Sequence, residues 1–279
     1  MTDTPQAAPK KLRRLLLTGA TGAMATAIRP LLSELADTVV VSGRREVQNL
    51  LPHEENCCAS LDDFDAVNAA VAGCDGIIHL GGYSIEGPFR PIQDANIQGV
   101  YNLYEAARAH GHPRIVFGSS NHVVGFYPQS ETIDAQAVPR PDSLYAVSKI
   151  YGEALARMYF DKFGQETAIL RIGSCFDYPK SHRMLATWLS YEDFVSFCQT
   201  AFHAPKLGCP IVYGMSNNTR SFWDNSAADY LGWTPKSNSE DFVAQVQEAH
   251  PNPDPNDPLN VYHGGTFPEL PIVTETKDD

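Results

Sequence analysis

The stretch Thr18-Gly19-Ala20-Thr21-Gly22-Ala23-Met24-Ala25 follows the apolar run Leu15-Leu16-Leu17. A strand ending in glycines at 19 and 22, with a small residue at 25, predicts a tight turn that opens a helix. Glycine lets the backbone approach a ligand closely, and the exposed amides at a helix start suit a pyrophosphate. Alone, the pattern reads equally well as an ordinary turn between strand and helix. Its place at the head of a longer series decides for a dinucleotide loop, with Gly19 and Gly22 as contacts.

That series continues through Thr38-Val39-Val40-Val41, Gly76-Ile77-Ile78-His79-Leu80, Arg114-Ile115-Val116-Phe117 and Thr167-Ala168-Ile169-Leu170. Continuous apolar runs of this length suit strands covered on both faces. Helical periods separate them: Ile28, Leu31, Leu32 and Leu35; Phe64, Val67 and Val71; Val100, Leu103, Tyr104 and Ala107; Leu155, Met158 and Tyr159. The alternation predicts an α/β fold, a Rossmann-like doubly wound parallel sheet. Beyond residue 172 the elements shorten around Pro179, Pro205, Pro210 and Pro235, which predicts a small C-terminal substrate lobe over the carboxyl ends of the strands. The expected organisation is a flexible tail over 1–13, a dinucleotide-binding core over 14–172, a substrate-covering region over 173–270 in the same compact unit, and a flexible tail over 271–279.

With 279 residues, 43% of them hydrophobic, the chain can bury a sizeable core. It has no apolar run long enough to span a membrane, and the polar start from Met1 to Arg14 lacks a secretory cleavage site. The six cysteines form no C-x-x-C pair and no zinc spacing with histidine, so no metal is expected and the thiols read as reduced in a cytoplasmic protein. A net charge of -12 opposes nucleic acid and leaves any anionic ligand to a few well-placed arginines.

An NAD site of this kind places an Asp or Glu at the end of the second strand, against the ribose hydroxyls. Here that strand ends Val41-Ser42-Gly43-Arg44-Arg45. A small residue at Gly43 beside two guanidinium groups favours the 2′-phosphate of NADP, with NAD as the alternative.

Tyr145 and Lys149 are four residues apart and share one helix face. A free phenol has a pKa of ~10, and lowering it by ~3 units needs ~4 kcal/mol in favour of the phenolate. One ammonium at ~4 Å supplies about that much at an effective dielectric of ~20, before desolvation is counted. Ser120, closing the strand that begins at Arg114, can orient a substrate hydroxyl towards Tyr145. Asn96 either ties a helix to neighbouring strands or passes protons through water.

This arrangement resembles the extended short-chain dehydrogenase/reductase superfamily and, within it, the uronate dehydrogenase family. The similarity runs from about Arg14 to Phe267. It is carried by Gly81-Gly82-Tyr83-Ser84-Ile85-Glu86, Gly118-Ser119-Ser120-Asn121-His122, Arg171-Ile172-Gly173-Ser174-Cys175 and Arg183-Met184-Leu185, with support from Phe222-Trp223-Asp224-Asn225-Ser226 and Gly264-Gly265-Thr266-Phe267. The resemblance implies oxidation of an aldohexuronic acid, such as glucuronate or galacturonate, at C1 to an aldarolactone. It makes Tyr145 the base, Lys149 its tuner and a nicotinamide-ribose contact, and Ser120 the orienting donor. Ser84, Asn121, His122 and Ser174 match positions that bind sugar oxygens, and Arg183 matches the clamp on the C6 carboxylate. It also implies cofactor contacts at Thr21, Ala23, Met24, Leu61, Leu80, Gly81, Gly82 and Asn96, and a homo-oligomer. The chain departs from the family's NAD users at Gly43 and at Ser60, both of which stand where those proteins carry an acidic residue. Two other readings share the motifs: a sugar or sugar-nucleotide epimerase/dehydratase, disfavoured by the short C-terminal lobe, and a non-catalytic NADP-binding regulator, disfavoured because Ser120, Tyr145 and Lys149 all persist.

Overall fold

Residues 10–274 are described in a computed structural model of the chain. Seven parallel strands, β1 (Leu12–Thr18), β2 (Ala36–Gly43), β3 (Glu54–Cys58), β4 (Gly76–His79), β5 (Arg114–Ser120), β6 (Thr167–Ile172) and β7 (Ile211–Gly214), form one sheet in the order β3-β2-β1-β4-β5-β6-β7. The main helices are α1 (Ala23–Ile28), α2 (Phe64–Val71), α3 (Gly99–Ala109), α4 (Leu144–Phe163) and α5 (Tyr191–His203). Strand periodicity divides the core. Leu15 and Leu17 face the layer of α1 and α5, with Ile28, Leu32, Phe194 and Phe197. Leu16 points the other way, among Val67, Leu103, Tyr104, Ala156 and Tyr159 from α2, α3 and α4.

Two strands of this sheet escaped the sequence reading. β3 is Glu-Glu-Asn-Cys-Cys, an edge strand exposed along much of its length, so it carries no apolar run. β7 lies beyond the boundary expected at 172: it pairs with β6, and α5 buries Phe194, Phe197 and Cys198 in the main core, so the sheet draws on the C-terminal region as well. Smaller shifts have local causes. Helix α1 stops at Ile28, and Arg29–Glu34 continue as a 3-10 turn because Pro30 has no amide to donate. Met158, assigned to a buried stripe, is 41% exposed, whereas Ala156 beside it is buried. β1 begins at Leu12, opposite Ala36, and the Arg13 amide donates to Asp75 Oδ2 at 2.8 Å, so Leu12 and Arg13 belong to the sheet and not to a tail. Residues 271–274 are exposed and without regular structure; the rest of both expected tails, 1–9 and 275–279, lies outside the described residues. No helix among the described residues is long and apolar enough to cross a membrane.

The chain order reverses between β1 and β4, which is where a sheet of this kind opens a crevice at its carboxyl edge. There the loop after β1 packs directly on the loop after β4. Gly19 has φ +70°, and a Cβ on it would lie 2.7 Å from the Gly81 nitrogen and Cα. The Gly81 amide donates to Thr18 Oγ1 at 3.0 Å, and that hydroxyl lies 2.8 Å from His79 Nδ1, so the two loops are tied as well as packed. Gly19→Ala meets strain and backbone together, and it weakens dinucleotide binding by about tenfold or more, about 1.4 kcal/mol. A fluorescence titration of the reduced dinucleotide measures this; an unchanged Kd would mean that the loops separate freely.

Candidate active site

Between the two tied loops and the end of β2 runs a groove of about 560 Å³. Gly19, Thr21 and Gly22 line it from the first loop, Gly43 and Arg44 from the end of β2, and Leu61, Leu80, Gly81, Gly82 and Ser84 from the opposite wall. Gly22 caps α1 with no side-chain hydrogen bond, and Thr21 adds a side chain to the same wall. Glycine where a Cβ would collide, on a groove at the carboxyl edge of the sheet, fits a dinucleotide. Ala23, Met24 and Arg45 fall outside the lining. Asn96 is the tie of the two options: its Oδ1 accepts from the Tyr83 amide at 2.7 Å, and its Nδ2 donates to Tyr83 O at 2.9 Å and to Ser148 Oγ at 2.8 Å. With these three bonds made, Asn96 is 2% exposed, and it lies outside the groove lining.

Ser120, Tyr145 and Lys149 come together beside the groove, all less than a tenth exposed. Ser143 caps α4 by accepting from the Ala146 amide at 3.1 Å, and Glu86 Oε2 accepts from the Tyr145 amide at 3.1 Å. These two contacts fix the first turn of α4 against the loop after β4. Burial pushes the Tyr145 phenol up to about 12, opposed by its hydrogen bond with Ser120. Burial pushes Lys149 down to about 8, opposed by the charge of Glu153. Lys149 Nζ donates to Gly118 O at 2.7 Å and sits 5.7 Å from the Tyr145 ring centre.

Across from this trio the C-terminal region supplies a second set. Arg183 is 8% exposed, and among the described residues no carboxylate lies within ion-pairing distance of it. Its Nε donates to His263 O at 2.8 Å, its Nη2 donates to the same oxygen, and burial lowers its guanidinium to about 10. Asn121 Nδ2 donates to that oxygen too, at 3.0 Å. His122 bonds Asp142 through Nδ1 and stacks on Phe267 with ring centres 3.8 Å apart. Ser174 Oγ lies 2.9 Å from Thr187 Oγ1. Ser84 is exposed on the groove wall.

Several supporting groups went unread in the sequence. Glu153 is one turn beyond Lys149 on α4, and it accepts from Ser119 Oγ at 2.6 Å and from Arg171 Nε at 3.0 Å. Its spacing of eight from Tyr145 on one helix stripe was the signal that could have found it. Asp142, just before the Ser143 cap of α4, and the His263 carbonyl carried no signal of their own.

The strand order and the glycine loop together define the class, an α/β dinucleotide-binding protein. The sequence profile of the NAD dependent epimerase/dehydratase family matches residues 15–190. A uronate dehydrogenase of Agrobacterium fabrum is 53% identical over 265 residues, covering 95% of this chain and all of that one. Among solved structures, a uronate dehydrogenase mutant from Agrobacterium tumefaciens complexed with NAD superposes with a TM-score of 0.92 at 53% identity, over 94% of this chain and 99% of that one. A glucuronic acid dehydrogenase from Chromohalobacter salexigens gives 0.91 at 50% identity, over 94% and 98% of the two chains. The chain belongs to the NAD dependent epimerase/dehydratase family, on its uronate dehydrogenase branch.

Proposed function

We propose that this chain oxidises the C1 hydroxyl of an aldohexuronic acid, glucuronate or galacturonate, to the aldarolactone, and that it prefers NADP to NAD. The observation that carries the substrate is Arg183, a buried guanidinium whose hydrogen-bond partner is one backbone carbonyl, that of His263, instead of a carboxylate. In a chain of net charge -12, such a group is the natural partner for a sugar carboxylate in a partly dry pocket.

In this reading Ser120 holds the C1 hydroxyl and Tyr145 takes its proton. A bound oxidised dinucleotide, held by the glycine loop after β1, would supply the hydride acceptor and a positive charge that favours the Tyr145 phenolate. That charge would offset burial, which holds the phenol up at about 12 against the Ser120 hydrogen bond. Lys149 contributes a second cation across the ring, kept charged by Glu153 and held in place by Gly118 O. Ser84, Asn121, His122 and Ser174 bind the remaining sugar oxygens.

NADP rests on Gly43, which leaves the carboxylate position empty, and on Arg44 in the groove lining. Asp62 lines the same end, hydrogen-bonded to Ser60 Oγ, and works against a 2′-phosphate. The preference is therefore a balance between one guanidinium and one carboxylate. A Cβ on Gly43 meets nothing closer than 3.5 Å, so a side chain fits there without moving the backbone. The test is reduced-nicotinamide absorbance with glucuronate or galacturonate and either dinucleotide. Reduction with NADP above NAD is the expected result; no reduction with either uronate would overturn the substrate reading. In the same assay, Gly43→Asp with Arg44→Ser moves the preference to NAD by about a hundredfold, the loss of one charge-assisted pair plus a new repulsion. Equal effects on both dinucleotides would make Arg44 a bystander. A cytoplasmic homo-oligomer fits the six free thiols and the exposed Tyr101, Val147, Met158 and Phe163 on α3 and α4.

A further inference from the structure

Asp142 lies three residues before Tyr145, in the segment that leads into α4, with a side chain shielded from solvent. Its Oδ2 is 2.7 Å from His122 Nδ1, and its Oδ1 accepts from Ser143 Oγ at 2.9 Å. Two glycines from separate loops make room for that carboxylate. A Cβ on Gly125 would fall 1.8 Å from Oδ2, and one on Gly264 would fall 2.0 Å from it. The His122 ring is equally confined, with one face on Phe267 and its edge towards Tyr145 at 6.0 Å between ring centres. Its backbone amide donates to Ser120 Oγ at 3.2 Å, so His122 touches Ser120 through its backbone and Tyr145 through its ring.

We propose that Asp142 is a positioning residue that fixes His122 in the Nδ1–H tautomer, so that Nε2 presents a lone pair and accepts a hydrogen bond from a sugar hydroxyl. A carboxylate can only accept, so the ring nitrogen facing it must carry the hydrogen. A neutral imidazole has only one, and the opposite nitrogen is left as an acceptor. Burial, reinforced by the Arg183 charge, lowers the His122 pKa despite Asp142, which favours the neutral ring. The pocket then reads the sugar with two opposite polarities: Arg183 donates to the C6 carboxylate, and His122 accepts from a hydroxyl. A sugar with an ether or a deoxy position at that hydroxyl offers His122 no proton and leaves a buried lone pair unpaired, which is a strong basis for rejection.

The inference rests on the uronate reading of the site, and the experiment separates the two. Nitrogen-15 spectra of the histidine-labelled full chain, assigned through His122→Phe, report the tautomer with no substrate present. A protonated Nδ1 and a bare Nε2 are expected; a proton on Nε2, or on both nitrogens, overturns the proposal. Glucuronate added in the presence of dinucleotide then moves the Nε2 resonance in the direction of an accepted hydrogen bond. An unmoved resonance in an enzyme that turns over glucuronate overturns the acceptor role and leaves the uronate reading standing, whereas no turnover in the unlabelled wild type strikes at that reading instead. Asp142→Leu, which has no acceptor whichever way it turns, and the isosteric Asp142→Asn complete the test. Where Nε2 becomes protonated, the uronate KM rises about tenfold, as expected for one lost hydrogen bond in a dry site, while the dinucleotide KM is unchanged. A variant with protonated Nε2 and a wild-type uronate KM overturns the proposal. In the His122→Phe background, the same Asp142 substitutions add nothing further to KM.

Discussion

Tyr145→Phe lowers kcat for uronate by about three orders of magnitude, within the range that removal of a general base produces. The substitution deletes one oxygen and little else. The edge contact of the ring with His122 remains, the Tyr145 amide still donates to Glu86, and the Ser143 cap of α4 is untouched. The melting temperature and the dinucleotide Kd therefore stay near the wild-type values, which separates lost chemistry from lost structure. Steady-state kinetics with a parallel thermal melt is sufficient to decide. A kcat within tenfold of wild type would remove Tyr145 as the base and direct attention to another group beside Ser120.

The second large effect falls on binding. Arg183→Ala raises the uronate KM about a hundredfold, corresponding to about 3 kcal/mol from a charge-assisted fork in a site of low polarity. Because Arg183 also holds the His263 carbonyl, the alanine variant alone would confuse lost recognition with a loosened loop. Arg183→Lys keeps a cation but not the fork, and its KM should lie between those of the alanine variant and the wild type. A neutral aldohexose provides the control, since it has no C6 carboxylate. Its weak turnover changes little with Arg183→Ala if the arginine reads the carboxylate, and falls in step with the uronate if the arginine only supports the loop.

The sheet could be read from sequence wherever a strand was covered on both faces. Leu15 to Leu17 and Gly76 to His79 are apolar because helices pack on each side, and that requirement leaves a plain signature. Glu54 to Cys58 pairs with β2 through its backbone at an edge, where side chains are under no such demand. The site divided along a similar line. Tyr145, Lys149 and Ser120, which the structure brings together, stood out in sequence because their spacing and their place after the glycine loop have a chemical meaning. Glu153 lies one turn from Lys149, but other partners in the site come from far along the chain or from the backbone: Glu86 is 59 residues before Tyr145, Asp142 is 20 residues after His122, and the carbonyl that Asn121 and Arg183 share, that of His263, could belong to any residue type. Arg44 and Arg45 look alike in sequence, and only the turn after β2 sends the first and not the second into the groove lining.

A single backbone oxygen, that of His263, orients both Arg183 and Asn121. In time as well as in space, this makes the sugar pocket a late arrival. A chain emerging from the ribosome has all seven strands in hand once Gly214 is clear, yet the atom that aims Arg183 is made 49 residues later. The nascent chain can therefore close the crevice at the switch of β1 and β4 well before Arg183, the proposed carboxylate clamp, is set.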